Sequence, residues 1–203
     1  GSQILDLFIS TSDAQYIRLQ DNVYMPLLEQ LEVRNTSSNA CTTSNVLYRG
    51  GKSLRSIPFV PYSDSASARS FYLAFAYCYA LTHLPDGFAD PDKYWFRNPS
   101  NMVYAFYRCY ALKYLPEGIF GDANNEWVNS TNSNATFYDC RNLKYIPYMP
   151  VRTSTSGSRV DFRNTFFNCL DLKAIPKGFS VKLVNSNGLQ STFVGTRECY
   201  DFS

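Results

Sequence analysis

Two acidic residues, Asp86 and Glu117, are the first candidates for chemistry, because they recur at equivalent positions of a repeated pattern. A pair of carboxylates can divide the acid and base work of glycoside hydrolysis. Each of the two follows a Leu-Pro pair and precedes Gly, where an acid is ordinary turn chemistry. The next equivalents are Tyr148 and Lys177, so the pairing is not maintained. The two acids therefore favour turns over a catalytic pair.

Histidine and cysteine give no stronger indication of an active site. The single histidine, His83, would need a nucleophile and an orienting acid from elsewhere in the chain, and the sequence offers no support for them. The six cysteines contain no C-x-x-C pair, which argues against a metal centre. We expect no catalytic residue, no metal and no cofactor, and we predict that the chain is not an enzyme.

A repeated motif, F-x-x-C-x-x-L-x-x-[IL]-P, organises the chain and occurs four times without a gap. Its Phe, Cys and Leu positions are Phe75, Cys78, Leu81; Phe106, Cys109, Leu112; Phe137, Cys140, Leu143; and Phe166, Cys169, Leu172. Weaker copies begin at Tyr48 and Phe193. A period of about 30 residues is typical of solenoids, in which each unit buries its apolar edge against the next.

Each repeat is predicted to form a short helix followed by a short strand. Apolar residues four before the Phe, at the Phe and three after it fall on one helical face, as in Phe71, Phe75 and Cys78. The Pro that closes the motif ends the regular structure. The predicted strands are Leu54 to Pro58, Leu81 to Pro85, Leu112 to Pro116, Leu143 to Pro147 and Leu172 to Pro176. Further extended pieces are suggested at Tyr94 to Phe96, Glu126 to Val128, Arg159 to Phe162 and Lys182 to Val184.

The four motif cysteines are predicted to form a column of free, buried thiols. Packed helices lie about 8 to 10 Å apart, and a disulfide needs alpha carbons within about 4.4 to 6.8 Å. Cys41 and Cys199 fall outside the column, and their pairing is left open.

These patterns predict an α/β fold, a leucine-rich-repeat-like solenoid of about five to six coils over residues 46–203. Residues 3–45 show no repeat and are predicted to be an N-terminal cap or flanking segment.

The segment "AFYRCYALKYLPEGIF" resembles the BspA-like leucine-rich repeats of bacterial surface proteins, over roughly residues 46–203. The chain departs from that family in its long, variable connections and in lacking a second regular Ile. The resemblance implies a curved, non-enzymatic scaffold for adhesion or recognition, as in cell-surface proteins and some phage fibre proteins. It thus implies an extracellular, cell-surface or virion location.

Net charge and the length of apolar runs limit the classes of partner expected for the chain. The net charge of +2 gives no general attraction to nucleic acid. The longest apolar run, from Phe71 to Leu81, is too short to span a bilayer, so no membrane insertion is expected. The expected partner is a glycan or a protein on a cell surface, and self-association is an open alternative.

The candidate binding residues lie between the Leu and the Ile of each repeat, where two positions recur along the predicted strands. The first reads Arg55, Thr82, Lys113, Lys144, Lys173, and the second reads Ser56, His83, Tyr114, Tyr145, Ala174. Aromatic rings stack on sugars and lysine reaches carboxylate or sulfate, so an acidic glycan is a consistent ligand. We call His83, Lys113, Tyr114, Lys144, Tyr145 and Lys173 the lysine–tyrosine face.

Two alternatives stay open for these residues. Lys and Tyr are also common on solvated strands that bind nothing, and long connections such as 90–100, 121–134 and 152–163 are a rival recognition surface. At the level of function, the alternative to a recognition module is a structural or assembly segment of a larger surface or virion fibre protein.

Overall fold

A computed structural model describes residues 49–56, 69–84, 99–117, 119, 132–147, 161–175, 188 and 190–197. Two short strands, β1 (Arg69–Ser70) and β2 (Pro99–Asn101), pair in parallel. Single parallel bridges continue the pairing from Asn101 to Asn132 and from Asn132 to Asp161. Equivalent residues of successive repeats therefore lie side by side.

After this pairing, each repeat enters a run of turns at residues 72–77, 103–108, 134–139 and 163–168. The prediction of a short helix here is wrong, since the described ranges contain no α-helix. Two residues of each run adopt the left-handed conformation, for example Leu73 with φ 57° and Tyr77 with φ 66°. A residue in that conformation cannot continue a right-handed helix.

Hydrogen bonds explain why the turns replace a helix. Alternate N–H groups bond within the repeat, as Ala74 N–H donates to the Phe71 carbonyl at 3.0 Å. The intervening groups bond to the next repeat, as Phe75 N–H donates to the Ala105 carbonyl at 2.8 Å. A helix would use all of these groups internally. The left-handed residues instead leave half of them to join neighbouring repeats.

Side chains of the motif form columns in the interior. Phe75, Phe106, Phe137 and Phe166 are fully buried. Their rings stack at centroid distances of 4.9, 5.2 and 5.6 Å, and Phe193 continues the column at 5.7 Å. The motif leucines, from Leu54 to Leu172, are also buried. Each such side chain contributes roughly 1.5–3 kcal/mol of hydrophobic stabilisation.

Polar residues at the entry to the turns cap the backbone. The Oδ1 atoms of Asn101, Asn132 and Asp161 accept hydrogen bonds from the N–H two residues later, at 3.0, 3.1 and 3.0 Å. Asn and Asp are favoured in turns for this bond. They cap turns here, not the helices that the sequence predicts.

The motif cysteines Cys78, Cys109, Cys140 and Cys169 are buried and free. The Cys109 thiol donates to the Phe75 carbonyl of the preceding repeat at 3.2 Å, and Cys140 and Cys169 repeat the bond. The spacing used to predict free thiols is wrong, because a backbone ladder of about 4.8 Å joins the repeats. Burial raises the pKa of Cys78 to about 12. Cys41 and Cys199 lie outside the described residues.

The assignment to a leucine-rich-repeat solenoid stays a prediction. So does the division at residue 46, because residues 1–48 lie outside the described ranges. Among the described residues, no helix has the length and apolar character needed to cross a bilayer.

Candidate functional site

The basic column of the lysine–tyrosine face is aligned by backbone hydrogen bonds. Lys113 N–H donates to Thr82, Lys144 to Lys113 and Lys173 to Lys144, at 3.1, 3.0 and 2.9 Å. Thr82 N–H in turn donates to the Arg55 carbonyl at 3.2 Å. The three lysines therefore lie on successive repeats at one side of the stack.

The aromatic column beside it presents two half-exposed rings. Tyr114 and Tyr145 are 50% and 52% exposed, and their rings lie 6.4 Å apart and 11° from parallel. Tyr145 pairs with Ala174 of the next repeat in a parallel bridge. The Ala174 methyl group is too small to cover an aromatic ring. Among the described residues, the strand partner of Tyr145 on the side away from Tyr114 is therefore a small side chain, and about half of the Tyr145 surface is exposed.

His83 lies at the other end of the aromatic column and is exposed. Its Nδ1 is 2.9 Å from the Thr82 hydroxyl. Glu117, the described member of the acidic pair, is exposed. Asp86 lies outside the described residues. In the described part of the chain, no three His, Cys, Asp or Glu residues form a group able to hold a metal ion.

The lysines create a local positive field. Within the described ranges, Lys113 and Lys144 form no ion pair. Their backbones lie about 4.8 Å apart, and two like charges repel by about 1 kcal/mol at 4 Å in water. An anion placed between the ammonium groups would relieve that repulsion.

A second surface, which the sequence analysis missed, lies on the turns. We call it the arginine–tyrosine face; it consists of Tyr79, Tyr107, Arg108, Tyr110, Tyr138 and Arg141. The rings of Tyr79 and Tyr110 stack at 4.9 Å, and the Arg141 guanidinium carbon lies 4.7 Å from the centre of the Tyr110 ring. Two rings and one guanidinium thus form a column across three repeats.

A parallel row of rings runs beside that column. Tyr107 and Tyr138 lie 5.2 Å apart, and Tyr138 stacks on Phe167 at 4.6 Å. Tyr77 meets Tyr107 edge to face at 5.4 Å, and the Arg108 guanidinium carbon is 5.1 Å from the Tyr107 ring centre. Most ring faces are therefore covered by neighbours, and the ring edges form the surface.

Asp139 holds the arginines of this face in position. Its carboxylate is nearly fully buried and accepts hydrogen bonds from Arg141 Nε at 2.8 Å, Arg141 Nη2 at 3.2 Å and Asn168 Nδ2 at 2.6 Å. Arg108 Nε lies 3.7 Å from the same carboxylate. The hydrogen bond and the charge of Asp139 raise the pKa of Arg141. One buried acid therefore orders two arginines from neighbouring repeats.

The signal for this face was present in the motif. The position after each cysteine reads Tyr79, Tyr110, Arg141 and Leu170. Aligning those flanking positions would have placed the residues in one column, but the contacts with Asp139 depend on the left-handed turns. The rival loops 90–100, 121–134 and 152–163 lie mostly outside the described residues.

Comparison with known proteins gives no further guidance. No protein-family model matches the chain, and the searches of curated proteins and of solved structures found no match.

Proposed function

We propose that the chain is a non-enzymatic recognition module that binds an acidic glycan of a cell surface through the lysine–tyrosine face. The observation that carries the proposal is the half-exposed ring of Tyr145, which follows Lys144 in the chain, with the backbone of Lys144 hydrogen-bonded to that of Lys173. An aromatic face next to two cations offers both contacts that an acidic sugar needs.

The geometry suggests how the ligand is held. A sugar ring stacks on Tyr145 while its carboxylate or sulfate contacts the ammonium groups of Lys144 and Lys173. A second unit reaches Lys113 and Tyr114 on the preceding repeat. Lysine side chains are flexible point charges, so they suit polymers whose acidic groups vary in position.

The proposal includes the scaffold that carries the lysine–tyrosine face and the location of the protein. A repeat scaffold of the leucine-rich type, on an extracellular, cell-surface or virion protein, would present this face to an opposing surface. The support is the resemblance of the motif and the hydrogen-bonded register of the repeats.

A glycan array of acidic and neutral glycans tests the proposal with two matched variants. Lys144→Ser/Tyr145→Ser removes one cation and one ring from the face. Lys52→Ser/Tyr72→Ser removes the same groups from exposed positions outside it. We expect acidic glycans to be captured by the chain and by the control, and to bind about tenfold less to the first variant. An unchanged array profile for Lys144→Ser/Tyr145→Ser contradicts the proposal.

A second candidate is a structural or assembly segment, in which a sister chain covers the exposed rings of Tyr114 and Tyr145. Light scattering coupled to size exclusion separates the two candidates. Oligomers that form without ligand and dissociate in Lys144→Ser/Tyr145→Ser favour assembly, and a monomer that captures glycan favours recognition.

A further inference from the structure

The arginine–tyrosine face differs from the lysine–tyrosine face in what it offers a partner. The rings of Tyr79 and Tyr110 cover each other, and the Arg141 guanidinium lies over the next position of that column. Sugar stacking needs an open ring face, and both faces of the central Tyr110 ring are covered. The surface of the column consists of ring edges, hydroxyl groups and guanidinium groups.

The guanidinium groups of Arg108 and Arg141 are held near Asp139, but most of their N–H donors make no hydrogen bond to described residues. Arg141 donates to Asp139 through Nε and Nη2, while its Nη1 makes no hydrogen bond to any residue that the structure describes. The Arg108 guanidinium makes no hydrogen bond in the same ranges. The two side chains are 49% and 41% exposed. The outer end of each guanidinium is therefore available to a planar acceptor.

Charge decides which acceptor fits. Two arginines face one carboxylate, so the cluster keeps one net positive charge. A guanidinium fork matches a carboxylate with two parallel hydrogen bonds. Arg and Tyr are enriched in the energetically important centres of protein interfaces, whereas Lys is depleted there.

We propose that the arginine–tyrosine face docks a protein partner through an acidic segment. Asp or Glu carboxylates of that segment bind the open ends of Arg108 and Arg141, and the hydroxyl groups of Tyr79 and Tyr110 bind its backbone. Asp139 acts as a positioning residue, because it orders both arginines before the partner arrives. This second binding surface does not depend on the glycan proposal.

Fluorescence anisotropy with a labelled oligoglutamate peptide tests the docking. Arg108→Gln is the first variant, since the Arg108 side chain donates no hydrogen bond among the described residues and the substitution leaves the backbone bonds of residue 108 in place. Arg141→Lys is the second, because it keeps the charge and removes the fork. Arg163→Lys is the matched control: Arg163 also pairs with an aspartate, Asp161, at a side-chain exposure of 44%, but lies outside the face.

We expect Arg108→Gln and Arg141→Lys each to weaken peptide binding about tenfold, and Arg163→Lys to leave it unchanged. Lys113→Gln/Lys144→Gln removes two charges from the other face and should change the affinity less than about threefold. Equal weakening by that double variant would assign the binding to overall charge and overturn the proposal. The proposal is also overturned if the unmodified chain does not bind the peptide. It is overturned as well if Arg108→Gln weakens the binding of a sulfated polysaccharide but leaves the binding of the peptide unchanged.

Discussion

The lysine–tyrosine face and the arginine–tyrosine face recur along the same repeats, but their side chains are held differently. Lys113 and Lys144 have no ion pair among the described residues, and Tyr114 is half exposed. Arg141 is fixed between the buried Asp139 carboxylate and the Tyr110 ring. The backbone ladder is common to both faces, so the difference lies in the side chains of each column.

That difference indicates two kinds of recognition. Lysines that make no ion pair among the described residues lose rotamer freedom when a ligand binds, which suits an extended polymer. Arginines ordered by a buried acid lose less freedom on binding and offer a fixed geometry, which suits discrete carboxylates. Four measurements of stability test this difference between the faces and the core beneath them.

The largest effect is expected from the core beneath the faces. Phe106 is fully buried between Phe75 and Phe137, so Phe106→Ala should lower the free energy of unfolding by about 3–5 kcal/mol. Tyr114→Ala, on the exposed face, should cost about 0.5 kcal/mol or less. Urea denaturation measures both, and similar losses would show that Tyr114 also supports the fold.

A smaller loss of stability is expected when Asp139, the buried acid of the arginine–tyrosine face, is replaced. Asp139→Asn removes the negative charge and one of the two oxygens that accept from Arg141, and should lower the free energy of unfolding by about 1–3 kcal/mol. Asp171→Asn is the control, because its side chain has no ion pair or hydrogen bond within the described residues. If both variants melt at the same temperature, Asp139 does not order the face through its charge.

The cysteine column between the two faces predicts a loss of stability at alkaline pH. Burial raises the pKa of Cys78 from 9.0 to about 12, so the folded chain keeps a proton that the unfolded chain releases. The resulting stabilisation is complete below pH 9 and decreases as the pH rises toward 12, by about 1.4 kcal/mol for the first pH unit. Unfolding curves of the chain and of Cys78→Ala should therefore converge above pH 9. Parallel curves at every pH would contradict burial of this thiol.

The smallest effect concerns the left-handed turns that create the arginine–tyrosine face. Ala135 has φ 54°, which is costly for any residue with a β-carbon, so Ala135→Gly should stabilise the chain by up to about 1 kcal/mol. Ala105 is equally buried but lies outside the left-handed region, so Ala105→Gly should lower the free energy of unfolding by about 0.5–1 kcal/mol. Equal losses in thermal melts would argue against the left-handed backbone at residue 135.

The motif predicted the interior columns but not the strands: in the described parts of the predicted strands, only Tyr145 and Ala174 form a bridge. Identical spacing of Phe, Cys and Leu placed the interior columns, and the same register placed Lys113 next to Lys144. The helix prediction failed because apolar residues at Phe71, Phe75 and Cys78 suit a helical face and a series of turns equally well. What separates the two is where the intervening N–H groups bond, and those acceptors belong to the next repeat.

The equivalence of residues in successive repeats follows from the amino-acid sequence, because a repeated order of buried and exposed side chains fixes the register at which units can stack. The left-handed conformation at two positions of each turn run, and the pairing of Asp139 with both Arg108 and Arg141, are visible only in the folded chain. The left-handed turns are bonded to a repeat about 30 positions away, and Arg108 lies about as far from Asp139 along the chain. Such bonds depend on the backbone of the neighbouring repeat, which no local pattern contains.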